Sequence, residues 1–330
     1  MTLKKKYALG NLVLPSNILY APLAGCSDFA FRKMSSRFTP GLIFCEMVKM
    51  DALVRNDRGT FEMLKFSEDM HPIGGQLCGS KPEMAANSAR ILEGLGFDVI
   101  DLNCGCPVDK VTKDGSGSGL LKNPEKIGEI ISNIVAAVKV PVTVKIRIGW
   151  DEAHINATEV TAIAEAAGAV SICIHGRTRE QAYRGPARWG PIKECKAAAN
   201  KIKVVANGDI FSPEDAERCF KETGADALLI ARGTMGNPWI AEQIIDHLEK
   251  RPYKIRTSQE SCLALQEHIN EIKKEKTEKG VIVDTRRISG WYIKGIPNAG
   301  EVRNALCHAE SVSEIDAILD TLLTTLFTTT

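Results

Sequence analysis

The sequence predicts an α/β fold, a (β/α)8 TIM barrel, followed by a small all-helical C-terminal domain. Three observations carry this prediction. Eight short apolar runs alternate with helical stretches between Asn17 and Arg232. No glycine-rich dinucleotide fingerprint follows the first run, which favours a closed barrel over an open doubly wound sheet. Beyond about residue 250 the strand pattern stops and helical periodicity continues alone.

The runs are Asn17–Ala21, Leu42–Glu46, Ile73–Leu77, Asp98–Asn103, Val142–Arg147, Val170–His175, Ile202–Asn207 and Ala227–Arg232. Most are rich in Val, Ile or Leu, as strands buried on both faces must be. Pro124–Val138 and Ala157–Ala167 have helical composition and period. Ser212-Pro-Glu-Asp215 opens another helix with a capping hydroxyl, a proline in the first turn and carboxylates near the positive dipole end. Gly224 closes it. Lys250-Arg-Pro-Tyr-Lys254 reads as a linker, dividing a barrel domain, 1–249, from a helical domain, 250–330. Helices are expected over Thr257–Lys279, Asp284–Ile296, Asn298–Ala309 and Ser311–Leu326.

Composition narrows the class. The 330 residues carry 42 Lys+Arg against 41 Asp+Glu, and 44% are hydrophobic, which excludes a disordered chain and gives no global attraction for nucleic acid. No run approaches the roughly 18 apolar residues of a membrane span. The three lysines before Gly10 have no apolar segment behind them, so a secretory signal is not expected. Ten scattered cysteines in a chain this long indicate a reducing cytoplasm rather than a disulfide framework.

In such barrels reactive groups sit at the C-terminal ends of the strands. Here those ends are polar: Gln76 on the third run, Asp101 and Asn103 on the fourth, Lys145 and Arg147 on the fifth, His175 on the sixth and Asn207 on the seventh. Side chains alternate along a strand. Asp101 and Asn103 therefore share one face, opposite Ile100 and Leu102. Lys145 and Arg147 likewise oppose Val144 and Ile146. The polar faces should converge at the barrel mouth and hold a polar ligand. Asn207-Gly208-Asp209 and Arg232-Gly233 follow the last two runs, the usual phosphate position of this architecture. Asp114–Gly119 is glycine-rich and is expected to be a mobile loop over the mouth. Cys104-Gly-Cys106-Pro107 lacks a second pair, so it is a poor zinc site and no metal is expected. Its spacing alone suits a buried loop cysteine as well as a proton donor.

The chain carries Ala21-Pro-Leu-Ala-Gly25, Phe31-Arg32, Gln76, Asp101-Leu-Asn-Cys-Gly-Cys-Pro107, Lys145-Ile-Arg147, His175-Gly-Arg177-Thr178, Asn207-Gly-Asp209, Met235-Gly-Asn-Pro-Trp239 and Trp291-Tyr292. Taken together, these motifs resemble a tRNA-dihydrouridine synthase, with wording like the bacterial B-type subgroup. The resemblance implies a bound FMN reduced by NADPH, a uridine of tRNA as hydride acceptor, and Cys106 as the proton donor. It implies that the backbone of Pro22, Leu23 and Ala24 holds the isoalloxazine ring. Gln76 and Asn103 would bind its polar edge or the target base. Lys145 would sit beside the flavin pyrimidine, with His175 near the cofactor or phosphate. Asn207, Gly208, Asp209, Ala231 and Arg232 would cradle the ribityl phosphate.

Leu23 stands where the family often has Met, and Ala231 where it often has Gly; the backbone amide survives the second change. Hydride addition builds negative charge on a uracil ring, and a thiol of ordinary pKa about 8.5 is available to protonate it. Asn103, Arg147, Arg177 and Arg287 are the candidate substrate contacts, among three basic groups at 177–188, 250–256 and 286–294. From Asp246 onward 12 basic residues face 13 acidic ones, so any RNA footprint is local. The resemblance implies no obligate protein partner. Two rival readings remain: a small-molecule FMN barrel of dihydroorotate dehydrogenase type, which needs no helical tail, and a barrel that binds RNA without catalysis.

Overall fold

The computed structural model describes residues 7–296 and 298–328. The first lysines of the chain, on which the reading of the N-terminus rested, lie outside the described residues. Among the described residues there are eleven strands: β1 (Tyr7–Leu9), β2 (Leu12–Leu14), β3 (Ile18–Tyr20), β4 (Leu42–Phe44), β5 (Val48–Lys49), β6 (Ile73–Cys78), β7 (Val99–Cys104), β8 (Val142–Arg147), β9 (Ser171–His175), β10 (Lys203–Asn207) and β11 (Ala227–Ile230). Eight of them, β3, β4 and β6 to β11, pair in parallel. The ring closes because β11 pairs with β3 and β4 pairs with β6. Each of the eight apolar runs supplies one ring strand. The two-residue β5 extends the mouth end of β6.

The predicted alternation holds. Ile100, Leu102, Val144, Ile146, Ile172 and Ile174 belong to the large apolar core that includes buried residues of the surrounding helices. Val99, Cys173, Val205 and Leu229 belong to a smaller core with Tyr7, Leu9 and Leu14. The β1–β2 hairpin therefore plugs the lower end of the barrel. Gly10 takes the positive φ of 58° that its two-residue turn requires. Three-residue strands were too short to stand out in the sequence.

Local signals act as expected around the ring. Ser212 Oγ accepts from Asp215 N at 3.1 Å, Pro213 opens the helix Pro213–Thr223, and Gly224 ends it in the left-handed region. After the helix Ile240–Leu248 come four helices: Ser258–Glu275, Glu278–Tyr292, Ala299–His308 and Val312–Thr328. The first starts in a reciprocal cap between Thr257 and Glu260. It ends earlier than the expected Lys279, because Lys276 and Thr277 turn extended and Lys276 reaches back to Asp284 and Asp28. The second consequently begins six residues before the expected Asp284. Leu265, Ile269, Ile288, Leu306, Ile315 and Leu319 form the helical core, which continues into Ala30, Met34 and Trp239 of the barrel portion. No described helix is long and apolar enough to cross a membrane.

Tyr20 locks the ring. Its buried hydroxyl donates to Pro238 O at 2.8 Å and accepts from Ala241 N at 2.9 Å, tying the first ring strand to the last barrel helix. Tyr20→Phe leaves a buried carbonyl and a buried N–H without that partner. We expect a loss of about 1–3 kcal/mol in chemical denaturation, and an unchanged midpoint would show that this contact is not a closure element.

Candidate active site

A cavity of about 360 Å3 opens at the C-terminal ends of the ring strands. That volume lies in the ordinary range for small-molecule sites. Fourteen of the sixteen residues singled out by sequence line it; Arg177 and Arg287 do not. Pro22, Leu23 and Ala24 form one wall, Gln76, Asn103 and Cys106 the next, and Lys145, Arg147 and His175 the far side. Asn207, Gly208, Asp209, Ala231 and Arg232 close it.

The Pro22–Ala24 wall is braced from behind. Leu23 N donates to Ser27 Oγ at 2.9 Å, Gly25 N donates to Glu46 Oε2 at 2.5 Å, and the buried Arg32 guanidinium donates to Ser27 O. Burial raises the Glu46 carboxyl above its usual range.

The Cys106 loop is clamped from two sides. Cys106 N donates to Asn103 Oδ1 at 2.9 Å, and Cys106 O accepts from Ser118 N at 3.0 Å and Ser118 Oγ at 2.8 Å. The glycine-rich segment is thus a packed brace rather than a free flap: Ser116, Gly117 and Ser118 are buried. Gly117 is required, since its φ is +59° and a Cβ there would stand 2.9 Å from Cys106 O. Arg147 binds the same loop from a third side, with Nε donating to Gly105 O at 2.9 Å. Its Nη1 donates to Thr178 O and Ala182 O, both at 2.8 Å. Cys104 is fully buried, and burial holds its thiol well above the usual range.

The far side of the cavity is cationic. Lys145 is half-buried, and among the described residues its one hydrogen-bond acceptor is Asn207 Oδ1 at 3.2 Å. Desolvation lowers its pKa. His175 is held well below its ordinary 6.5, by burial first and then by Lys145, Arg147, Arg177 and Arg232. Its ring is neutral at pH 7. Arg177 lies 3.3 Å from His175 Nε2 and can only donate, so Nε2 accepts and Nδ1 carries the proton.

Asp209 is the carboxylate among these cations. It accepts from Arg177 at 2.9 and 2.7 Å, from Arg232 at 3.1 Å and from Ala187 N at 2.7 Å. Asp209 is thereby a strut, and its backbone rather than its carboxylate is left for a ligand. Arg232 also stacks between Tyr183, at 4.8 Å, and Phe211, at 5.5 Å. Gly208 has φ +123°, and a Cβ at Gly233 would approach Ile210 O to 2.3 Å, so both loops require glycine for close backbone packing. A half-buried ammonium with spare donors, a net positive rim and two glycine loops fit the phosphate and polar ring edge of FMN.

The remaining basic residues are mostly engaged. Arg177 is 3% exposed and held by Asp209, away from the outer surface. Arg179 pairs with Asp109, and with Lys122 it brackets the Trp150 ring. Arg188 pairs with Glu152 at 2.8 Å. Arg251, Lys254 and Arg256 pair with acidic neighbours. Arg287 lies on the helix Glu278–Tyr292 and joins it to Asp28, at 3.1 Å, just after the Pro22–Ala24 wall. Met47, Tyr183, Phe211 and Cys26 also line the cavity and were not singled out in the sequence. The nearest available signal was an aromatic shortly after a strand end, which Tyr183 and Phe211 both give.

A parallel (β/α)8 ring with a phosphate-type rim and a thiol loop at its mouth belongs to the class of flavin-dependent oxidoreductase barrels. The family model described as dihydrouridine synthase (Dus) matches residues 19–327. The chain belongs to this family, whose members are FMN-dependent and reduce uridine in tRNA. Similar curated proteins include a probable tRNA-dihydrouridine synthase 1 from Synechocystis sp., 38% identical over 97% of this chain and 90% of that one. Another is tRNA-dihydrouridine synthase B from Pseudomonas aeruginosa, 38% identical over 89% of each. Among solved structures, histamine dehydrogenase from Rhizobium sp. 4-9 matches with TM-score 0.59 at 16% identity, across 82% of this chain and 51% of that one. The chain thus spans about half the length of that protein, and the likeness is one of fold.

One group beneath the cavity makes a clean titration test. Burial pushes Asp101 from its ordinary 3.8 up to about 6, against the opposing hydrogen bonds of Thr143 and Gln76. The folded state therefore holds this proton more tightly than the unfolded chain, and the wild type loses stability as pH rises through that interval. The loss amounts to roughly 3 kcal/mol. Asn does not titrate. Asp101→Asn should gain stability relative to wild type between pH 4 and about 6.5, whatever its offset at pH 4. A melting difference that stays flat over this range would place the Asp101 pKa at an ordinary value.

Proposed function

We propose that the reductant is NADPH, that Cys106 protonates the uracil ring, and that the remaining cavity residues divide between cofactor and base. Bound FMN would supply the hydride. Cys106 is the acid because its loop is clamped by Asn103, Ser118 and Arg147 at the cavity mouth, and this is the observation that carries the reading. The thiol would deliver its proton to the carbon next to the one that receives hydride, as charge builds on the ring. Lys145 would donate to the polar edge of the flavin, and Gln76, whose amide is spent on Asp101 and Asn103, would hold Asn103 from below. Asn103 would orient the base, with Arg147 holding the loop that carries the acid. His175, Arg232 and the backbone of Asn207, Gly208, Asp209 and Ala231 would hold the ribityl phosphate, with Pro22, Leu23 and Ala24 against the ring. Arg177 would act through Asp209, and Arg287 would place the helical segment beside the mouth.

The same proposal divides the chain into a catalytic barrel, 1–249, and a helical tRNA-binding unit, 250–330. The uridine must leave the RNA stack to reach the cavity, and phosphate contacts around the mouth would make binding fall with salt. With a tRNA substrate the enzyme would work in the cytoplasm.

The decisive experiment is anaerobic. NADPH should bleach the flavin, and unmodified tRNA should reoxidise it quickly while small pyrimidine acids do not. Reoxidation by a small acid alone would move the protein to the dihydroorotate dehydrogenase type. Cys106→Ala should retain flavin and slow the tRNA step by about 10²–10⁴-fold; full turnover would remove the assignment. Arg232→Ala should weaken FMN by about 10- to 100-fold in equilibrium titration, and unchanged affinity would count against the phosphate rim.

A further inference from the structure

The fourth ring strand carries a buried carboxylate to which the mechanism above gives no part. Asp101 is 3% exposed and lies two residues below Asn103 on the same face of β7. Gln76 and Thr143 are its direct partners on the two adjacent strands, so all three side chains stand side by side across the barrel. Thr143 Oγ1 donates to Asp101 Oδ1 at 2.6 Å, and Gln76 Nε2 donates to Asp101 Oδ2 at 2.7 Å.

An ionised carboxylate accepts hydrogen bonds and donates none. That asymmetry orients everything above it. With its nitrogen turned to Asp101, Gln76 presents Oε1 upward, where Asn103 Nδ2 donates to it at 2.7 Å. With its nitrogen committed there, Asn103 presents Oδ1 to Gly105 N at 3.2 Å and Cys106 N at 2.9 Å. Turning either amide over sets donor against donor or acceptor against acceptor. Two amides that could each adopt either orientation are thereby held in one.

We propose that Asp101 is a positioning residue for the proton donor: through the fixed polarity of Gln76 and Asn103 it holds the Cys106 loop where the thiol can reach the base. This rests on the reading of Cys106 as the acid. Asp101 sets the direction of the chain from beneath the cavity and touches neither substrate nor cofactor. The pull of Asp101 ends at two backbone N–H groups, so its loss displaces the thiol without removing it.

The test uses the flavin-loaded full chain and stopped-flow measurement of both half-reactions. In Asp101→Asn the new amide can donate to Gln76 Oε1 and reverse the orientation of both amides, leaving Asn103 Nδ2 facing the loop N–H groups. Flavin content, and the rate of flavin reduction by NADPH, should stay within about twofold of wild type. The maximal rate of reoxidation by tRNA should fall about 10- to 100-fold with the half-saturating tRNA concentration little changed, the effect expected of a misplaced reacting group. The double variant Asp101→Asn/Cys106→Ala should be no slower than Cys106→Ala alone, because the two changes remove one function.

Rates that multiply in the double variant would show that Asp101 acts apart from Cys106 and would overturn the proposal. So would loss of flavin, or slowed reduction by NADPH, in Asp101→Asn. An unchanged tRNA step in Asp101→Asn, with Cys106→Ala still slow, overturns the relay and leaves the acid assignment standing. An unchanged tRNA step in Cys106→Ala removes the acid assignment itself. If Asp101→Asn does not fold, Thr143→Val removes one of the two bonds that hold the carboxylate. It should slow the same step about fivefold, again with no further loss in the Cys106→Ala background, and no slowing overturns the proposal.

Discussion

A closed ring of parallel strands delivers every strand end to one face, and in this chain those ends and their loops carry Lys145, Arg147, His175, Arg177 and Arg232, with the carboxylate of Asp209 between Arg177 and Arg232. Charge held this close in a protein interior must be neutralised, hydrogen-bonded or relinquished. All three solutions occur. Arg177 is neutralised by Asp209, Arg147 is spread over three backbone carbonyls, and His175 gives up its second proton. A positive surplus remains after this accounting, and an anionic ligand would complete it.

The Cys106 side of the mouth is organised differently. It uses neutral amides whose orientation is set by neighbours, and the loop they support is held by Ser118, Arg147 and Asn103. On the proposed reading, a thiol on a rigid loop would lose little freedom when it meets a base, which would suit proton transfer in a geometry-limited step. The barrel thus separates two tasks in space: charge complementarity on one wall and directional hydrogen bonding on the other.

Much of this was legible in the sequence. Eight apolar runs mark the eight ring strands, and a period of two separates the faces correctly on β7, β8 and β9, because those strands are buried on both sides. The loops after β10 and β11 were legible because glycine is required there for close packing. Other features depend on tertiary context. Nothing local tells that Arg177 turns inward to Asp209 while Arg179, two residues on, turns outward to Asp109. The glycine-rich segment reads as a flap by composition, yet its glycines let it approach Cys106. The helix break at Lys276 is stabilised by two aspartates far and near in sequence, Asp28 and Asp284, and no propensity scale contains that information.

The hairpin that plugs the lower end of the barrel bears on traffic. With Tyr7, Leu9 and Leu14 filling that end, the molecule is a cup rather than a tube. Whatever meets a flavin seated inside must arrive and depart through the same doorway. On the proposed reading a nicotinamide reductant and an RNA would take turns there, so electrons would come in with one visitor, wait in the cup, and leave with the next. The order of visits would then follow from the floor of the barrel, far from any atom that reacts.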